Sequence, residues 1–259
     1  MRNKLRLEKR ESVSTIRIVL TSILFTLIAF AFCGIIIASV GFNPLEVYGK
    51  MLNKVFLSGK GIRKMINASL PLMFCGLGVA LTFKMNLNNI GAEGQILMGC
   101  VASAAMMIYA GNALPTGVLL VLMFLCSFAA GAIWGVIPAF FKAKWNTNET
   151  LFTLMLNYVA MQVVTFCIVY WENPVGSNSV GIINAPTKAG WLPPLFGLDY
   201  GWNLVIVLLL TVFMFIYMKR TKHGYEISVV GESENTARYA GINVGKVIIR
   251  TVGISGGIA

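Results

Sequence analysis

The chain has 259 residues, of which 57% are hydrophobic and only 12% charged, with a mean hydropathy of +0.75. Soluble domains carry about 25% charged residues, so this composition excludes a soluble globular protein and points to an integral membrane protein. The net charge of +11 would suit nucleic acid if it formed a folded basic patch, but the Lys and Arg residues flank apolar runs, the pattern that sets membrane topology, and nucleic acid is excluded as a partner.

A spanning helix needs about 20 mostly apolar residues. Six segments meet this in chain order: 18–40, 65–83, 96–111, 116–141, 151–170 and 202–218. The first is too long for the apolar stretch of a cleaved signal and reads as a retained anchor. The expected fold class is therefore all-α, a polytopic helical bundle in the plasma membrane, surrounded by lipid, with residues 1–259 as a single transmembrane domain. With the tail 1–17 in the cytoplasm, fifteen Lys and Arg fall inside and six outside, which favours that orientation. Five of the six outside lie in segment 41–64, where NPLEVYGKMLNKVF suits a short helix on the outer surface with snorkelling lysines. The loop 171–201, with four prolines, five glycines and two tryptophans, is expected outside as a lid, a docking surface or a plain solvated connection. The chain ends TVGISGGIA, the start of a further apolar segment. An incomplete protein is expected, with six spans as a lower bound.

Five cysteines sit in or beside the apolar segments with no CxxC or Cys/His spacing, so they read as small apolar residues rather than metal ligands. The single histidine, His223, lies in a basic loop, which leaves catalysis of the Ser-His-Asp type without a base and gives no catalytic or metal site.

Two polar stretches interrupt the apolar pattern. NNIGAEGQ, residues 88–95, lies between the second and third spans. Irregular polar backbone at membrane depth survives only where protein or a water-filled cavity satisfies it, so the stretch is either a pathway element or an ordinary turn. Asn157 sits one to two turns into the fifth span, where a buried amide either bonds another helix or lines the pathway. In the loop 219–250, Ser233 is positioned to cap a short helix, Glu232 and Glu234 favour its N-terminal dipole, and Gly241 can end it in the left-handed region. So short a helix needs a surface to pack against. Gly131 and Gly135 form a GxxxG, which speaks for close helix packing.

NIGAEGQ strongly resembles the signature of ATP-binding-cassette importer permeases for nucleosides and simple sugars, relatives of the ribose and branched-chain amino-acid permeases. ASLPLMFCGLGVALTFK before it, KAKWNTNETLFTLMLNYVA after it and then GESENTARYAGINVGK resemble further blocks of that family in the same order. The family commonly has glycine where Asn86 stands, an aromatic where Asn88 stands, and Asn-Pro near Ser233 and Glu234. The resemblance implies a permease domain with a solute pathway near Asn89, Glu93, Gln95 and Asn157, and the amides Asn89, Gln95 and Asn157 suit hydrated neutral solutes. It also implies a coupling segment of Gly231, Glu232, Ala237, Arg238, Tyr239, Ala240 and Gly241 that docks on a cytoplasmic ATPase subunit. A second permease chain, identical or related, and an extracytoplasmic solute-binding protein complete the implied assembly. The chain has no GxxxxGK[ST], so it is expected to be no enzyme and to carry no cofactor, ATP and Mg belonging to the ATPase. The alternative is a secondary transporter driven by an ion gradient, which requires ionisable groups buried within the spans; Glu93 is the only candidate.

Overall fold

The computed structural model describes residues 14–195 and 197–259. Most of the expected tail 1–17 and Phe196 of the outer loop lie outside the described residues. Among the described residues ten α-helices follow one another: α1 Thr15–Ser39, α2 Pro44–Leu52, α3 Gly59–Lys84, α4 Ala92–Ala110, α5 Thr116–Trp145, α6 Glu149–Tyr170, α7 Gly201–Arg220, α8 Lys222–Glu232, α9 Glu234–Tyr239 and α10 Val244–Ile258. Among the described residues there is no strand, only an isolated antiparallel bridge between Leu195 and Leu198. Six of the helices among the described residues, α1 and α3 to α7, are long and apolar enough to cross a membrane, and they coincide with the six expected segments. The chain is an all-α polytopic membrane protein.

It divides into two units, one up to Ile66 and one from Asn67 to Ala259. In the first, Asn43 accepts a hydrogen bond from the Leu45 amide at 3.1 Å and Pro44 opens α2, a favourable helix start. Helix α2 folds back along α1: the Tyr48 hydroxyl donates to the Phe30 carbonyl at 2.7 Å, the two rings meet edge-on, and a Cβ on Gly34 would touch Pro44. Leu45 and Leu57 stay exposed, as in a segment bathed by lipid or headgroups. One π-helical turn, Asn53–Leu57, leads to α3.

The second unit is built on α5 and α10. A Cβ on Gly131 would collide with the Gly256 carbonyl, one on Gly256 would lie 2.5 Å from the Gly131 carbonyl, and one on Gly135 would lie 2.9 Å from the Val252 carbonyl. The expected GxxxG therefore packs backbone to backbone, against the apolar C-terminal stretch noted in the sequence. Gly78 of α3 does the same against Ser255, where a Cβ would lie 2.6 Å from its carbonyl. Leu81, Met85, Leu87, Ala139, Met214, Ile227, Val230, Val247 and Ile248 form the core beneath. Helix α10 begins at Val244, so residues 244–250 of the segment read as cytoplasmic loop are its first turns, with Val244, Val247 and Ile248 buried.

Turn chemistry positions these helices. Asn86 adopts φ 58° and Asn146 φ 51°, left-handed values that asparagine tolerates better than most residues. This explains why glycine is the expected residue at position 86. Asn146 ends α5, and two residues later the Asn148 side chain caps α6 by accepting from the Leu151 amide at 3.2 Å. Lys142 and Glu149, both half-buried, clamp this α5–α6 turn with a 3.1 Å ion pair.

Candidate functional site

The NNIGAEGQ stretch forms a turn and the first helical residues of α4. A helix N-terminus leaves its first amides without intrahelical partners, and here side chains satisfy two amides of this turn. Asn89 accepts from the Gly91 amide at 3.0 Å. Asn157, eight residues into α6, accepts from the Gly94 amide at 3.0 Å and donates to the Ile90 carbonyl at 3.0 Å. Eight helical residues correspond to about 12 Å. The N-terminus of α4 is thus recessed within the bundle, and an amide from another helix caps it at that depth.

Gln95, 1% exposed, lies on the next turn. Its Oε1 accepts weakly from Asn89 Nδ2 at 3.4 Å. Around it stand the α5–α10 glycines: a Cβ on Gly135 would lie 3.0 Å from Gln95 Nε2, and one on Gly256 would lie 3.2 Å from its Cδ. Gly94 allows the same closeness, since a Cβ there would meet Asn157 Oδ1 at 2.8 Å and Trp134 Nε1 at 3.0 Å. Trp134 Nε1, Thr251 Oγ1 and Ser255 Oγ are buried without hydrogen-bond partners among the described residues. Leaving such a group unpaired costs about 1–3 kcal/mol.

The structure therefore brings together three of the four expected pathway residues. Asn89, Gln95 and Asn157 are buried and make their hydrogen bonds within the chain. Glu93, in the first turn of α4, is exposed and apart from them. Trp134, Thr251 and Ser255 escaped the sequence reading, because single polar residues in apolar runs carry no motif. Only the glycine spacing beside them gave any signal.

The expected coupling residues have two faces. Ser233 caps α9, accepting from the Thr236 amide at 3.3 Å, and Gly241 closes it at φ 77°. Ala237 is fully buried in the core, whereas Tyr239 is 93% exposed and Arg238, Ala240 and Gly241 are exposed beside it. Ala237 thus holds the helix down rather than receiving a partner. Gly231 is also a packing residue, because a Cβ there would collide with the Lys84 carbonyl at the end of α3. Glu232 is exposed.

The ends of the second unit differ in charge. At the end carrying α9, Lys84, Lys142, Lys144, Lys219, Arg220, Lys222, Arg238, Lys246 and Arg250 outnumber Glu93, Glu149, Glu226, Glu232 and Glu234, while the loop 171–200 at the other end has Lys188 with Glu172 and Asp199. That loop is tied to α4 by Asn184, whose Nδ2 donates to the Met107 carbonyl at 2.8 Å, and by Trp171, whose Nε1 donates to the Tyr109 hydroxyl at 2.9 Å.

The family model described as "Branched-chain amino acid transport system / permease component" matches residues 61–259. A glucose ABC transporter permease of Haloferax volcanii is 32% identical over 94% of this chain and 66% of its own length. A guanosine ABC transporter permease of Bacillus subtilis is 28% identical over 93% of this chain and 69% of its own. A nucleoside ABC transporter permease of Lactococcus lactis is 27% identical over 94% and 69%. The chain thus spans about two thirds of the length of these relatives. No solved structure matches it.

Proposed function

From the premise that the chain belongs to the transport-system permease-component family matched over residues 61–259, we propose that it is the membrane-spanning subunit of an ATP-driven importer of nucleosides or simple sugars. The relatives named for glucose, guanosine and nucleosides support that solute class. The observation that carries the reading is α9: six residues, anchored from beneath by Ala237, with Tyr239 projecting 93% exposed. A helix this short has no stability of its own, and an exposed aromatic on a rigid mount suits an anchor for a partner protein. The partner is a cytoplasmic ATPase subunit, which holds ATP and Mg and performs hydrolysis.

The basic end of the second unit then faces the cytoplasm. An extracytoplasmic solute-binding protein approaches the loop 171–201, and a second permease chain completes the path. The pathway runs beside the recessed α4 turn, where Asn89, Gln95 and Asn157 fix the wall and Glu93 offers an exposed polar group. An ion-gradient transporter is less well supported, because the buried polar residues among the described positions include no carboxylate.

The test is uptake of labelled guanosine, glucose and ribose in cells lacking the gene and in their parent, with ATP depleted or the proton gradient collapsed. Loss of uptake that follows ATP is the expected result. Uptake that follows the gradient would overturn the assignment.

A further inference from the structure

Helix α7 ends at Arg220, and α8 starts at Lys222. A cavity of about 260 Å³ opens here against α10, lined by Lys222, His223, Glu226, Asn243, Lys246 and Arg250. Three cations face one carboxylate. Lys222 and Glu226 are 4.0 Å apart, a marginal pair whose lysine is 90% exposed and free to turn. Lys246 and Arg250 lie one turn apart on α10, both exposed, and neither is in an ion pair among the described residues.

His223 forms the floor. It is 7% exposed, and its Nδ1 is 2.5 Å from the Tyr217 hydroxyl. With the tyrosine donating, the ring proton sits on Nε2, which is buried without a hydrogen-bond partner among the described residues. Burial first and Arg250 second hold the imidazole below its ordinary range, while Glu226 and the Val247 backbone oppose them. The ring therefore favours its neutral form. The pocket also lies at the N-terminal ends of α8 and α10, whose dipoles favour an anion there.

We infer that this pocket binds a phosphate group, held by Lys246 and Arg250, reached by Lys222 and floored by His223. Arg250 supplies a planar donor fork suited to phosphate oxygens, and the lysines supply mobile charges. One residue beyond a membrane span, the pocket sits at headgroup depth, so the phosphate comes from an anionic lipid or from a soluble phosphate compound. This inference does not depend on the transport reading.

The experiment uses the purified chain in phosphatidylcholine nanodiscs, with unfolding followed at constant ionic strength. One arm titrates inorganic phosphate against chloride; the other replaces part of the lipid with phosphatidylglycerol. Stabilisation in at least one arm is expected. Lys246→Gln with Arg250→Gln should weaken it roughly 10-fold, the loss expected for charge-assisted hydrogen bonds. Glu226→Gln, which removes the opposing charge, should strengthen it, so the test survives a poorly folding double variant. A response to phosphatidylglycerol alone assigns the site to lipid, and a response to inorganic phosphate assigns it to a soluble ligand. No response in either arm, or equal responses from parent and variants, would overturn the inference.

Discussion

Asn157 and Gly94 stand 63 residues apart in the chain and 3.0 Å apart in space, the amide oxygen of one accepting the backbone N–H of the other. This contact makes a recessed helix start affordable inside an apolar bundle. It also makes α4 and α6 interdependent, since α6 supplies what α4 lacks.

Replacing Asn157 with Leu should therefore leave the Gly94 amide and the Ile90 carbonyl unpaired, at a cost of about 2–6 kcal/mol. Ser at this position keeps a hydroxyl that donates and accepts without adding a charge, so its effect should be smaller. Unfolding midpoints in mild detergent would show the order parent, Ser, Leu. Equal loss in both variants would mean that shape rather than hydrogen bonding matters at this position.

The α5–α10 crossing predicts a steric effect. Gly131→Val places its side chain against the Gly256 carbonyl, and overpacking of this kind typically costs about 1–3 kcal/mol. Gly117→Val, at a glycine with no neighbour within 4 Å, is the control and should change little. The check is thermal stability of the two variants side by side.

At α9, position should decide the outcome. Tyr239→Asp with Ala240→Asp alters only exposed residues and is expected to abolish ATP-dependent uptake at normal membrane levels. Ala237→Asp buries a charge in the core and should lower the amount of folded protein instead. Normal uptake in the exposed double variant would remove α9 from the coupling role.

For His223 the folded pKa lies below the unfolded value of about 6.5. The unfolded state then takes up its proton first, so this stability contribution is present above about pH 6.5 and is lost as pH falls through the window beneath it. The charges facing the ring are Arg250, Glu226, Lys222 and Lys246, with the Tyr217 hydroxyl on Nδ1. His223→Gln should flatten the decline in unfolding midpoint between about pH 7 and pH 5. An unchanged slope would show that other groups set it.

The spans were legible because membrane helices announce themselves by length and apolarity; segments 116–141 and 151–170 differ from α5 and α6 only at their ends. Ser233 and Gly241 were legible for a similar reason, since capping is local chemistry. The inward face of Ala237 was not, because one alanine in a six-residue helix has no periodicity to reveal its direction. Nor was the partner of Asn157, which depends on a fold that brings α6 beside the start of α4. The resemblance to importer permeases singled out the stretch NNIGAEGQ. The hydrogen bonds that satisfy it became visible only in three dimensions.

At the Gly131–Gly256 crossing, no side chain separates the two backbones. A methyl or leucine cushion could rotate to absorb a shift, but peptide groups in contact cannot. Helix α10 therefore behaves as a stiff strut about 22 Å long, with its foot just beyond α9 and its upper end beside Gln95. A displacement of that foot must either carry the surroundings of Gln95 with it or break the joint.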